Sequence, residues 1–215
     1  MRNKIIFGIL ISSLFSGCQL LKPQPDSTRQ FFIQLPPEES NVTSVSHGVL
    51  QLAIRQAPDY LLRSILVTKI GPNEIKEYPK YRWMVPVQDA VLNVIREHIQ
   101  RKFPKVTVYV LPKDTPQNAD RKIDLMINCL IADETRDQVL CSGHWVYKDL
   151  KTENDTPFEF HVPFEKNINR YEGIIAAIEQ IVFELSKHIT EKLDLLFIHS
   201  ENITVPETSF LSFSE

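Results

Sequence analysis

Residues 64–104, SILVTKIGPNEIKEYPKYRWMVPVQDAVLNVIREHIQRKFP, contain the change of hydrophobic period that decides the fold class. Ser64 to Ile70 and Glu74 to Tyr78 are β-type runs, and Gly71-Pro72-Asn73 between them is a turn signal. From Val85 to Lys102 the pattern changes: Val87, Val91, Val94, Ile95, His98 and Ile99 fall at helical spacing. Pro86 suits the first turn of that helix and Pro104 stops it. A β-hairpin therefore feeds a long amphipathic helix.

The flanking sequence extends this frame. Towards the N-terminus, Gln30 to Leu35 and Gly48 to Ile54 read as strands, and Pro58-Asp59 opens a short turn or helical piece. Towards the C-terminus, Val106 to Leu111 is a strand. Ile123 to Ala132 and Val139 to Lys148 form a hairpin around the polar DETRDQ loop, and Phe158 to Phe164 alternates again. A last helix is expected from Arg170 to Leu195. Ile174, Ile178, Ile181, Leu185 and Ile189 lie on one face of it, with Val182 and Leu193 beside them. The order strands, helix, strands, helix implies an α+β domain: a single mixed or antiparallel sheet with two long helices packed on one face.

Composition agrees with one globular domain plus short extras. The chain has 215 residues, 43% hydrophobic and 24% charged, which excludes a disordered or multi-span membrane protein. A net charge of −3 argues against a nucleic-acid binder. Gly is scarce, and neither a dinucleotide nor a P-loop fingerprint occurs.

The first residues, MRNKIIFGILISSLFSGC, read as an export signal. Arg2 and Lys4 precede an apolar stretch too short to span a bilayer, and Ser16-Gly17 run directly into Cys18. That order resembles a bacterial lipobox, in which the cysteine thiol takes a diacylglyceryl group, the preceding peptide is removed and the new amine is acylated. Cys18 is the expected lipidation site. The following Gln19, rather than Asp, favours the outer membrane, with the domain facing the periplasm. The expected division is 1–17 signal peptide, 18–29 lipid-anchored tether, 30–196 folded domain and 197–215 flexible tail.

The stretch from Ala57 to Val91 resembles the ABC-type transport auxiliary lipoproteins, the PqiC-like group. The residues that carry the likeness are Pro58, Tyr60, Leu61, Val67, Thr68, Asn73, Glu74, Ile75, Arg82 and Trp83. The early FFIQL and the late Tyr171, Ala176 and Ala177 leading into FELSKHI are similar too, so the resemblance spans roughly residues 30–193. It implies a non-enzymatic accessory subunit without a cofactor. Its partners would be a periplasmic Mce-domain protein and that protein's inner-membrane partners, in lipid transport that maintains envelope integrity. Two other readings are a carrier that binds acyl chains in its own cavity and a periplasmic hydrolase.

The chemistry-bearing residues have competing explanations. No G-x-S-x-G, H-E-x-x-H or C-x-x-C occurs. Asp133, Glu134, Asp137, Asp149, Glu153 and Asp155 read as a solvated loop face rather than an acid–base pair. Cys129, Cys141, His144 and His161 make a poor metal set, because His144 and Cys141 point to opposite faces of one strand. Cys129 and Cys141 can form a cross-strand disulfide if the turn is centred on Thr135, and are otherwise two buried thiols. Arg82 and Trp83 are residue types favoured at binding hot spots; the alternative is that Trp83 packs beneath the helix start while Arg82 pairs with an acid. The apolar stripe of the last helix reads as core, although a homo-oligomeric contact could use part of it.

Overall fold

Strand order along the chain is β1 (Arg29–Phe31), β2 (Gly48–Gln56), β3 (Ile65–Gly71) and β4 (Glu74–Trp83), then helix α1 (Val87–Lys102). β5 (Val106–Val110), β6 (Arg121–Asp133), β7 (Gln138–Lys148), β8 (Glu153–Pro163) and helix α2 (Arg170–Glu201) follow. This is a computed structural model that describes residues 27–37, 47–114, 119–165 and 170–201. The signal peptide, Cys18 and the residues after 201 lie outside the described residues.

β6 is the spine of a mixed sheet. Along one edge it pairs antiparallel with β7, which pairs antiparallel with β8. Its other edge is shared: β2 pairs parallel with its first half, and β3 pairs parallel at Ala132 and Asp133. β2 and β3 are thus successive tenants of one edge. Between them the chain steps out into a 3-10 turn, Asp59–Leu62. In that gap the Leu130 amide donates to the Tyr60 hydroxyl at 3.3 Å instead of to a strand carbonyl. A buried N–H left without an acceptor costs about 1–3 kcal/mol, so this tyrosine supports the interruption. Burial pushes the Tyr60 phenol up to about 12, the largest influence on it. β5 adds to β2 in parallel, β4 to β3 antiparallel, and β1 to the far edge of β4 in parallel.

Both helices pack on one face of the sheet. α1 contacts β2 and β5, while α2 contacts β6, β7 and β8. The expected stripe is core: Ile174, Ile178, Ile181, Val182, Leu185, Ile189 and Leu193 are buried, facing Ile123, Leu125, Ile127, Cys141, Trp145 and Tyr147 in one cluster. Asp89 in the first turn of α1 and Arg101 and Lys102 in its last turn complement the helix dipole. Phe103 ends α1 by donating its amide to the Ile99 carbonyl at 2.8 Å.

Three boundaries differ from the sequence reading. β1 stops at Phe31, because β4 offers it only Tyr81 to Trp83 before turning into α1. β8 begins at Glu153; its polar first half carries no apolar signal because it lies on a free sheet edge, where charges and prolines discourage further pairing. α2 continues to Glu201, and Phe197 packs edge-on against Phe103 at 5.0 Å, so the folded domain runs past 196.

Candidate functional site

The N-terminal stretch does more than lead into the domain. β1 completes the β4 edge, and the Met84 amide donates to the Phe31 carbonyl at 2.7 Å just beyond the ladder. Arg29 forms an ion pair with Glu172 at 2.5 Å, tying β1 to the first turn of α2. Phe31 stacks on Tyr81 at 6.3 Å and meets Trp83 edge-on at 6.5 Å; Tyr81 in turn packs on Tyr171 at 4.3 Å, and Tyr171 on Tyr78 at 4.9 Å. Past Phe31 the chain crosses the helices as an extended strap. Leu35 is buried, and Arg101 of α1 donates to the Pro36 carbonyl at 2.9 Å. Between the strap and α2 lies an open groove of about 410 Å³, lined by Gln34, Leu35, Pro36, Pro37, Ala176, Glu179, Gln180 and Phe183. Burial in its wall raises the Glu179 carboxyl above its ordinary value.

A second polar cluster fastens the same end of the molecule. Glu134 accepts from the Tyr78 hydroxyl at 2.7 Å and from the Thr68 hydroxyl, and pairs with Arg170 at 3.0 Å. Its amide donates to the Lys69 carbonyl at 2.8 Å. Asp133 beside it is buried, accepts from the Thr135 amide and hydroxyl, and faces Lys69 at 3.3 Å. Burial pushes the Tyr78 phenol up, and Glu134 pushes it further. Burial would also raise Asp133, but the Thr135 hydroxyl and amide and then Lys69 outweigh it and hold the carboxyl low. The expectation of a solvated acidic loop is thus corrected for Asp133 and Glu134. Both are acceptors in a clasp joining β3, β4, the β6–β7 turn and α2. With both oxygens engaged, by the Thr68 and Tyr78 hydroxyls on one and Arg170 on the other, Glu134 holds these elements together.

Trp83 is buried, so it belongs to the core and not to a contact surface. Arg82 is exposed; its Nε donates to the Pro79 carbonyl at 3.2 Å rather than to an acid. The disulfide alternative is corrected by register. From Lys122 to Ile127 the β6–β7 ladder would, if continued, set Cys129 against Cys141. A bulge between Ile127 and Cys129 shifts it by one residue, pairing Cys129 with Ser142 and Leu130 with Cys141. Both thiols are free: Cys141 is buried under the helices, and Cys129 lies 3.2 Å from the Ser142 hydroxyl. His144 sits on the face opposite Cys141, and His161 bonds Glu159 at 2.8 Å. Among the described residues no three His, Cys, Asp or Glu side chains converge as a metal would require. No described helix is long and apolar enough to cross a membrane.

These elements define an open-sheet α+β domain whose N-terminal strap is part of the fold. Among solved structures it is similar to a Xanthomonas campestris protein of the DUF330 family, at TM-score 0.63 and 12% identity, over 81% of this chain and 98% of that one. A second, uncharacterized protein matches at TM-score 0.58 and 16% identity, over 73% and 99%. At such identities the likeness shows the fold alone. No curated protein matches the chain. The family model described as "ABC-type transport auxiliary lipoprotein component" matches residues 33–190, and the chain belongs to that family. That family is a transport-accessory group, not an enzyme class.

Proposed function

We propose that this chain is a non-catalytic lipoprotein that docks a periplasmic Mce-domain protein of an ABC-type intermembrane lipid transport system at the outer membrane. The observation that carries the reading is the family match, which spans the folded domain from the strap into α2. Cys18 is the acylated N-terminus of the mature protein. A tethered domain needs little intrinsic affinity, because confinement to a surface raises its effective concentration near a partner. The protein partner sits in the strap–α2 groove, where Gln180, Glu179 and Phe183 offer amide, carboxyl and aromatic contacts beside rigid helix backbone. That groove is open and bears a carboxyl, which suits a polypeptide better than the closed apolar cavity of an acyl-chain carrier.

The test is a photo-crosslinking amino acid at Gln180, with Leu150 as a control site at the β7–β8 turn, followed by pull-down from native envelopes. Capture of an Mce-domain protein from position 180 alone is expected. A deletion strain should become sensitive to detergent. Mass spectrometry of the N-terminal peptide reads the Cys18 acyl chains. Failure to capture an Mce-domain protein from either site, with an unaffected deletion strain, overturns the reading.

A further inference from the structure

We infer that the corner where β1, β4 and the 3-10 turn meet is a membrane-docking surface that rests on an anionic phospholipid bilayer. The inference builds on the lipoprotein reading above, and it adds a second, non-covalent contact. Four large apolar side chains are exposed at this corner: Phe32 at 56%, Leu62 at 57%, Met84 at 63% and Val85 at 38%. The strand register gathers them. Phe31 pairs with Trp83, which sets Phe32 beside Met84; Trp83 donates its amide to Ser64 at 2.9 Å, which brings Leu62 to the same strand end. Exposing four such residues together is costly unless something apolar receives them.

Charge selects the receiver. Lys80 and Arg82 are exposed on β4 beside this corner, and among the described residues no carboxylate pairs with either; Lys76 lies further back along β4, over the Tyr78 ring. Of the neighbouring carboxylates, Glu77 and Glu172 are paired with Arg63 and Arg29, and Asp59, which opens the 3-10 turn, is exposed. Apolar side chains flanked by exposed cations match an interface with acyl chains below and phosphates above.

Chain length supplies the third constraint. Ten residues, Gln19 to Thr28, separate Cys18 from Arg29. Fully extended they reach no more than about 40 Å, so β1 would stay within about that distance of the bilayer and this corner is within reach of it. Leu150, which is 91% exposed, belongs to the β7–β8 turn beside the start of β6, at the other end of the sheet.

The experiment removes the acyl anchor so that the surface is read by itself. The mature chain carrying Cys18→Ser is floated with vesicles of phosphatidylethanolamine and phosphatidylglycerol, and separately with pure phosphatidylcholine. Partitioning onto the phosphatidylglycerol vesicles at least about tenfold above phosphatidylcholine is expected, from two cations near an anionic surface. Phe32→Ser with Met84→Ser should abolish it, Lys80→Glu with Arg82→Glu should remove the lipid preference, and Leu150→Ser should change nothing. All are exposed positions, so circular dichroism should show parental folding for each variant. No flotation with either lipid, or flotation that survives both double substitutions, overturns the proposal. Loss of Cys18 acylation in the native protein would instead overturn the lipoprotein reading and leaves this measurement valid.

Discussion

Gly143 is the position where one added methyl group should cost most. It lies on the helix-facing side of β7, opposite Ile127 of β6 and Phe158 of β8. A Cβ there would fall 2.1 Å from the Met126 carbonyl oxygen, 2.9 Å from Phe158 Cζ and 3.1 Å from Ile127 Cα. A close C–H···O contact is about 3.3–3.6 Å, so the overlap with the oxygen exceeds about 1 Å. The Phe158 ring can turn aside. The Met126 carbonyl cannot, because β6 is paired there on both edges, with Gln56 and with His144. Relief means parting β6 from β7, at about 1 kcal/mol for each of two or three ladder bonds, plus disturbed packing. Gly143→Ala should therefore destabilise by about 3–4 kcal/mol, at the upper end of or beyond ordinary overpacking. Urea unfolding of the mature chain, followed by circular dichroism and tryptophan fluorescence, should show the midpoint falling by roughly 1.5–2 M at an unchanged slope of about 2 kcal/mol/M. Gly71→Ala is the control, since its nearest neighbour is an ordinary 3.4 Å away. A Gly143→Ala stability within about 1 kcal/mol of the parent would refute the reasoning.

Two further outcomes test the clasp and the register. The folded pKa of Asp133 lies below its unfolded value, so its contribution is complete above about pH 4–5 and is lost as pH falls through the folded pKa. Thr135→Val removes one of the bonds that hold it low and should shift the acid-unfolding midpoint to higher pH; an unmoved midpoint contradicts the clasp. For the cysteines, alkylation of unreduced, denatured protein should modify both Cys129 and Cys141. In the native state Cys129 should react far faster, since Cys141 is buried and burial raises its thiol pKa; a recovered 129–141 disulfide would contradict the bulge.

The helices and most strands were legible because local signals agree there. Pro86, Pro104 and the Gly71-Pro72-Asn73 turn bracket α1 and the β3–β4 hairpin, and tertiary structure had little to override. The bulge was not legible. Core-facing residues run 123, 125, 127 and then 130, 132, but Cys129 is small and apolar enough to fit either phase, so alternation passes over the slip. The interrupted edge of β6 was hidden for another reason: nothing local says that β2 and β3 follow the same partner, or that Tyr60 closes the gap. Arg82 and Trp83 look equivalent as adjacent hot-spot types, yet Trp83 faces the start of α1 while Arg82 faces solvent. The clasp was missed because its acceptor lies on the β6–β7 turn and its donors on β3, β4 and α2. Phe32, Met84 and Leu62 are far apart in sequence, and only the parallel β1–β4 register and the Trp83–Ser64 hydrogen bond make them neighbours.

The same register bears on how a domain held by the proposed Cys18 anchor would carry load. Any pull between the bilayer and a bound partner enters at β1, a three-residue parallel strand whose few ladder bonds contribute about 1 kcal/mol each. Alone it would be the first element to detach. Beyond it, however, Leu35 is buried in the core and Arg101 holds the Pro36 carbonyl, so the strap is gripped from the far side of β1. At its first residue, Arg29 is paired to α2 through Glu172. Peeling β1 therefore leaves the strap in place, and freeing the strap as well requires extracting Leu35, a large apolar side chain whose exposure costs about 1.5–3 kcal/mol. A partner seated between the strap and α2 would press on both and make extraction harder, because whatever binds only the assembled groove stabilises it by mass action. In this arrangement Phe32 of the proposed membrane corner and Gln34 to Pro37 of the proposed partner groove belong to one short stretch of chain. Partner binding at one end of that stretch would strengthen the attachment at the other.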